Sequence, residues 1–356
     1  MTGGYISLLT FTALYCRIII YCFYLRYYSK GVIVMPHTCY GCFREIESNF
    51  CPYCGYKNGS SAVKYPLALP EESVLGGQFI TGRVLGQGGF GITYVAQDYF
   101  SKKIVAIKEF FPETLVTRTR NVTVSSYSED KKDSFAYGKS CFLEEAKTLA
   151  GFVDNDGVVR LYGYFEENNT AYFVMDYLEG GNLLDHLKQR GGKLSWRETL
   201  DIVYPIMDAL QAVHEKGIIH RDISPDNIFI CNDGSVKLID FGAARYSIGD
   251  KSKSLDVVLK HGYAPKEQYA RHGRQGSYTD IYALAATMYR CVTGQLPADS
   301  LDRVEEDTLV PPISLGCDIP PLTQSALMMA LAVNPEDRFA SMKGFRNALK
   351  LSEKNN

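Results

Sequence analysis

Residues 218–242 read IIHRDISPDNIFICNDGSVKLIDFG, and most of the recognisable chemistry of the chain is concentrated there. His220-Arg221-Asp222 is followed five residues after the aspartate by Asn227, and Asp240-Phe241-Gly242 closes the stretch. Between them, Ile228-Phe229-Ile230 and Val236-Lys237-Leu238-Ile239 are apolar runs separated by Asn232-Asp233-Gly234, which predicts a short hairpin with a type I′-like turn. The open end of such a hairpin brings Asp222, Asn227 and Asp240 together, although 18 positions separate the two aspartates. Two carboxylates and an amide oxygen are hard donors suited to a divalent cation. Either triplet alone is as readily a surface turn; in this order and spacing they define a site.

The 356 residues, 46% of them hydrophobic, suffice for two or three domains with a sizeable core. Lys and Arg number 38 against 40 Asp and Glu, so the global charge calls for neither nucleic acid nor an anionic membrane surface. Of the ten cysteines, four form one tight cluster and others, such as Cys141, Cys231 and Cys291, lie singly in apolar stretches. That distribution fits a reducing cytoplasm better than a secreted disulfide framework.

Residues 5–28 are apolar enough to suggest an inner-membrane anchor, although Arg17 interrupts them. Met35, preceded by Ser29-Lys30-Gly31 with its purine-rich Lys-Gly codons, offers an alternative start that would make residues 1–34 a misassigned leader. The second reading is the expectation, and a signal peptide is disfavoured because no small-residue cleavage site stands out. Membrane attachment follows only if residues 1–34 are genuine.

Next come Cys39-Tyr-Gly-Cys42 and Cys51-Pro-Tyr-Cys54, with eight residues between the pairs. Two such knuckles can set four thiolates tetrahedrally around Zn2+, against the simpler readings of a redox dithiol or two disulfides. Residues 35–56 thus resemble a small zinc ribbon. Four protein ligands leave no open coordination position, so a structural zinc, with the ribbon docking a protein partner, is expected rather than catalysis. Residues 57–78, rich in Ser, Pro and Gly, read as linker.

A strand-turn-strand pattern follows, with Gly86-Gln87-Gly88-Gly89-Phe90-Gly91 as the turn and Thr93 two residues beyond. Glycines there let backbone N–H groups approach phosphates, although the pattern alone is weak. Ile104-Val105-Ala106-Ile107-Lys108 is a further strand ending in a lysine. In the helix that follows, Phe142, Ala146 and Leu149 mark the apolar face; Glu145 falls on it and Glu144 points away. A buried carboxylate wants a cation, so Glu145 is the expected partner of Lys108. Residues 112–138, polar and carrying Arg118, Arg120, Lys131 and Lys132, read as an insertion able to regulate that helix. Trp196 to Glu215 has the spacing of a long core helix.

Together these stretches resemble bacterial serine/threonine protein kinases over residues 79–350, which implies an α+β fold of two lobes, a small β-rich one and a larger helical one, preceded by the ribbon. The resemblance implies ATP and Mg2+ as cofactors and proteins as substrates. Asp222 would orient the acceptor hydroxyl and take its proton, Asn227 and Asp240 would hold Mg2+, and Lys108 would meet the α/β phosphates. Gly86 to Gly91 would cover the phosphates. Thr93, Ala106, the gatekeeper Met175, Asp176 and Leu178 would surround adenine. Arg221 would tie to the activation segment, where Ser247, Ser252 and Ser254 are candidate phosphoacceptors. Glu267 of Ala264-Pro-Lys-Glu267 would pair with Arg338, Asp280 would brace the catalytic loop, and Asn182 would cap the first helix of the second lobe.

One departure stands out. Such kinases usually place Lys two residues after the catalytic aspartate, where this chain has Ser224, and a Thr where it has Lys260. The two residue types look exchanged, so Lys260 is expected to supply the charge missing at Ser224; the plainer reading is a solvated loop lysine. The expected activity is transfer of the ATP γ-phosphate to serine or threonine hydroxyls, including autophosphorylation. The alternative is a pseudokinase scaffold that presents its ribbon to a partner.

Overall fold

A computed structural model of the chain describes residues 37–119, 122–152, 155–240, 259–270 and 273–354. The apolar stretch 5–28, the triplet's Phe241 and Gly242, and Ser247, Ser252 and Ser254 lie outside these residues. No helix among the described residues is long and apolar enough to cross a membrane.

The first described residues form a two-stranded ribbon, β1 (His37–Thr38) against β2 (Glu45–Ile46), whose core is Cys39, Ile46 and Cys51 with Cys42 and Tyr56 packed beside it. A short helix α1 (Ser60–Lys64) leads to β3 (Val74–Leu75). Then β4 (Phe79–Gly88), β5 (Gly91–Asp98) and β6 (Ile104–Phe110) run antiparallel. Their β-branched and aromatic residues suit a pleated surface buried on one or both faces. A small hairpin of β7 (Val116–Arg118) and β8 (Val124–Ser126) precedes the long helix α2 (Glu129–Leu149). With β9 (Leu161–Glu167) and β10 (Thr170–Asp176), the main sheet has the order β3-β4-β5-β6-β10-β9. Phe142 of α2 stacks on Phe173 of β10 with centroids 4.6 Å apart, which seats the helix on the sheet.

The second lobe begins at β11 (Gly180–Asn182) and α3 (Leu183–Gln189), where the Asn182 side chain accepts the Asp185 N–H at 2.8 Å as N-cap. Helix α4 spans Trp196–Glu215 and starts with a Ser195/Glu198 capping box. Its buried stripe, including Leu200, Val203, Ile206, Leu210 and Val213, packs against α6 (Ser277–Thr293) and α9 (Met342–Lys354). Between them in sequence lie β12 (Ile228–Cys231), β13 (Val236–Leu238) and α5 (Lys266–Tyr269); α7 (Asp302–Glu305) and α8 (Pro321–Ala330) complete the lobe. The architecture is the expected α+β pair of lobes, sheet-rich first and helical second.

Two local expectations change. In the β12-β13 hairpin only Gly234 has positive φ, at 84°, so the turn is not type I′, which needs two left-handed residues. Gly234 N–H closes on Cys231 O at 2.9 Å, and Asp233 Oδ1 accepts the Ser235 N–H at 2.9 Å. The polar stretch 112–138, read as one insertion, is divided between the β7-β8 hairpin and α2, whose first ten residues are its last ten, and the Arg118 side chain is almost wholly buried.

Candidate active site and cysteine cluster

The hairpin aligns the site. Ile239 N–H donates to Asn227 O at 2.9 Å, tying the segment that leads from β13 to Asp240 to the loop that carries Asp222. Asn227 Nδ2 donates to Asp222 O at 2.7 Å and Oδ2 at 2.8 Å, so the amide fixes the carboxylate. The loop is braced from beneath by fully buried Asp280 on α6. Its carboxylate accepts the His220 N–H and the Arg221 N–H, each at 2.8 Å, and lies 2.7 Å from His214 Nε2 of α4. Burial pushes this carboxyl up, but those bonds outweigh it and hold it below the usual range. Arg221 is left-handed at φ 68°, and its carbonyl accepts from Gln268 Nε2 at 2.8 Å.

Lys108 projects from β6 and forms its ion pair with Asp240, which is itself left-handed at φ 59°. Burial opposes the lysine's charge, yet the surrounding carboxylates, Asp240 first and then Glu145 and Asp222, together outweigh it and raise the lysine's pKa. Glu145 lies on the buried face of α2 as its periodicity predicts, but the ion pair with Lys108 is not formed: the lysine has turned to Asp240. Glu145 Oε1 is buried and has no hydrogen-bond partner among the described residues, and burial pushes its carboxyl up to about 8, with Lys108 pulling it back and Asp240 adding to the rise.

Lys260 Nζ donates to Ser224 Oγ at 2.8 Å and stands 3.4 Å from Asp222 Oδ1. Burial raises the Asp222 pKa and the Lys260 charge is the foremost influence lowering it again. Further along, Glu267 and Arg338 are both buried and joined by two bonds, at 2.7 and 3.2 Å, with Thr279 Oγ1 on the same carboxylate at 3.1 Å.

On the nucleotide side, Gly88 and Gly91 pair across the turn between β4 and β5, with Gly86 opposite Thr93; Phe90 at its tip is exposed. Gln87 reaches Glu113 beyond β6. Cross-strand register sets Thr93 opposite Lys108, and Ala106 opposite Met175. The Asp176 N–H donates to Arg160 O at 3.0 Å and its carboxylate accepts from Tyr162 Oη. Carboxylate, amide oxygen and half-buried lysine around one cleft form a donor set suited to magnesium and phosphate.

The four cysteine sulfurs lie within 4.8 Å of one another. Cys39 and Cys54 are 3.6 Å apart and Cys42 and Cys51 3.7 Å. These are not disulfide lengths. A tetrahedron with Zn–S bonds of about 2.3 Å has edges of about 3.8 Å, so the cluster fits that ion.

Two arrangements had no sequence signal. Glu109, next to Lys108 but on the other face of β6, is fully buried and accepts from Tyr94 Oη and Tyr172 Oη at 2.7 Å and from Arg118 Nη2 at 2.6 Å. The ribbon, moreover, is docked on β4: Arg83 N–H donates to Tyr40 O at 2.7 Å.

Comparison with known proteins agrees with this geometry. The family model described as protein kinase domain matches residues 79–311, and the chain belongs to that family. It is 30% identical over 289 residues to serine/threonine-protein kinase PknA of Nostoc sp., covering 79% of this chain and 48% of that protein. Serine/threonine-protein kinase PknD of Mycobacterium tuberculosis is 30% identical over 283 residues, covering 77% and 39%. The chain spans about half the length, or less, of these relatives. A solved structure titled PpkA-294 apo form superposes with a TM-score of 0.71 at 33% identity, covering 80% of this chain and 99% of the other.

Proposed function

We propose that this chain is a serine/threonine protein kinase that transfers the γ-phosphate of MgATP to hydroxyls of protein substrates, itself included. The observation that carries the proposal is the convergence of Asp222, Asn227, Asp240 and Lys108 on one cleft with Lys260 seated on Ser224. Phosphoryl transfer through a loose transition state is mostly positioning and charge stabilisation, and this set supplies both. Asp222, oriented by Asn227, accepts the hydroxyl proton. Asn227 and Asp240 are the magnesium ligands; the ion, when bound, screens the phosphate oxygens. Lys108 holds the α/β phosphates, Glu145 is its alternative carboxylate to Asp240, and Arg221 links the loop to the activation segment. Gly86 to Gly91 cover the phosphates, while Thr93, Ala106, Met175, Asp176 and Leu178 receive adenine.

Lys260 supplies the cation that the position of Ser224 lacks. Its bond to Ser224 and closeness to Asp222 support that role over a solvated loop lysine. The four cysteines hold a structural zinc, which the sulfur spacings support. The cytoplasm is the compartment we assign, because four of the eight described cysteines form the metal cluster and the other four, Cys141, Cys231, Cys291 and Cys317, stand singly as thiols. No observation among the described residues favours the scaffold alternative.

Incubation with labelled ATP, magnesium and a generic acceptor protein, followed by phosphoamino-acid analysis, tests the reading. Phosphoserine or phosphothreonine is expected. Phosphotyrosine alone would overturn the hydroxyl specificity, and nucleotide binding without transfer would favour the scaffold.

A further inference from the structure

The strand that carries the glycine turn is held in place by the cysteine ribbon. β4 and β5 lose register between Thr81 and Val84, and again between Val84 and Gly86. Within that interruption the Arg83 N–H is taken by Tyr40 O at 2.7 Å, and the Val84 N–H by Ser61 Oγ at 3.0 Å. Tyr40 lies between the first two cysteines. Ser61 Oγ is in turn 2.7 Å from Tyr56 Oη, and the Tyr56 side chain packs on the cysteine core. The approach is close: a Cβ at Gly82 would stand 2.2 Å from Tyr40 O and 3.1 Å from the Phe43 ring. Arg83 completes the link to the other side of the cleft, with its guanidinium 6.0 Å from the Tyr56 ring centre and 3.4 Å from Tyr177 Oη, just past β10.

Among the described residues the ribbon is held together by its sulfurs, by turn hydrogen bonds such as Cys39 N–H to Arg44 O, and by the Asn58 side chain, which bridges Tyr40 N–H and Thr38 O. Three buried residues and two two-residue strands form no self-sufficient core, and a site of this size takes its folding free energy from the metal.

We propose that the four-cysteine site is an effector site for nucleotide binding. The proposal rests on the zinc reading above. Metal fixes the Tyr40 carbonyl and the Tyr56 ring; these fix two consecutive N–H groups of β4; and these set the approach to the turn that starts at Gly86. Release of the metal frees the ribbon, strips both donors of their partners and loosens the phosphate-covering turn. Linkage makes the effect reciprocal, so bound nucleotide strengthens zinc retention.

The experiment is a titration of the full chain with a fluorescent ATP analogue in magnesium, before and after the zinc-selective chelator TPEN, with released zinc quantified and amide hydrogen exchange followed over residues 82–88. Zinc removal is expected to weaken analogue binding roughly tenfold, within the usual range of coupling between two sites, and to speed exchange in that segment. Gly82→Ala, with every cysteine intact, is expected to weaken binding similarly and to make it insensitive to TPEN, while far-ultraviolet circular dichroism reports an unchanged fold. Unaltered affinity and exchange after zinc has been released would overturn the coupling. A chain that takes up no zinc would overturn the metal reading itself and the effector role with it.

Discussion

Lys260 Nζ sits 2.8 Å from Ser224 Oγ and 3.4 Å from Asp222 Oδ1, so an ammonium delivered from a segment 36 residues downstream occupies the space beside the candidate catalytic base. A cation aimed at the transferring phosphoryl group acts only where charge develops, and removing one such group typically lowers kcat by about a hundredfold to a thousandfold. Lys260→Ala should fall in that range, measured as steady-state phosphorylation of an acceptor protein. The exchange variant carrying both Ser224→Lys and Lys260→Thr should recover most of the loss. Because Lys260 draws the Asp222 pKa down, Lys260→Ala should also move the acid limb of the rate profile to higher pH. Unchanged turnover in Lys260→Ala would refute the compensation.

Glu145 makes a prediction about stability. Its carboxyl is pushed up from 4.5 to about 8, chiefly by burial. A group whose folded pKa exceeds its unfolded value binds more protons when folded, so its contribution to stability is fullest below about pH 4.5 and is lost as pH rises through about 8. Glu145→Gln removes that loss without changing the shape of the side chain. Relative to the parent, the variant should gain on the order of 3 kcal/mol between about pH 5 and pH 8 in urea unfolding, since each tenfold difference in proton affinity between the folded and unfolded chain is worth about 1.4 kcal/mol. A difference that does not vary with pH would contradict it.

Arg118 and Glu109 test the inner face of the sheet. The pair is 2.6 Å apart with both side chains almost wholly buried, and Arg118 also donates to Leu67 O at 2.7 Å and Val122 O at 2.6 Å. Arg118→Ala strands a buried carboxylate and should destabilise the chain by about 3–5 kcal/mol. Adding Glu109→Gln should return part of that, because a neutral amide no longer needs the cation. An effect below about 1 kcal/mol, the size of an exposed pair, would refute the structural role.

The sequence was most informative where side-chain type and spacing carry the structure. The run from Trp196 to Glu215 is a helix over those very residues, and the face occupied by Phe142, Ala146 and Leu149 is buried with Glu145 on it. The hairpin that joins Asn227 to Asp240 followed from two apolar runs and a glycine, although its turn type did not. What escaped is tertiary. Lys108 has three carboxylates within its field, Asp240, Glu145 and Asp222, and nothing in their spacing says that Asp240 takes it. Arg118 stands in a polar stretch and reads as solvated; only the fold brings Glu109 beneath it. Ribbon docking rests on the Tyr40 carbonyl and the Arg83 N–H, backbone groups that every sequence possesses.

The central claim is that the cleft around Asp222 performs phosphoryl transfer. The most direct test compares the chain with its Asp222→Asn variant for incorporation of labelled γ-phosphate from MgATP into itself and into an acceptor protein, with nucleotide binding measured on both. The account predicts incorporation by the parent, loss of it in the variant, and similar nucleotide affinity in the two. Equal incorporation by both, or none by a parent that binds MgATP, would contradict it.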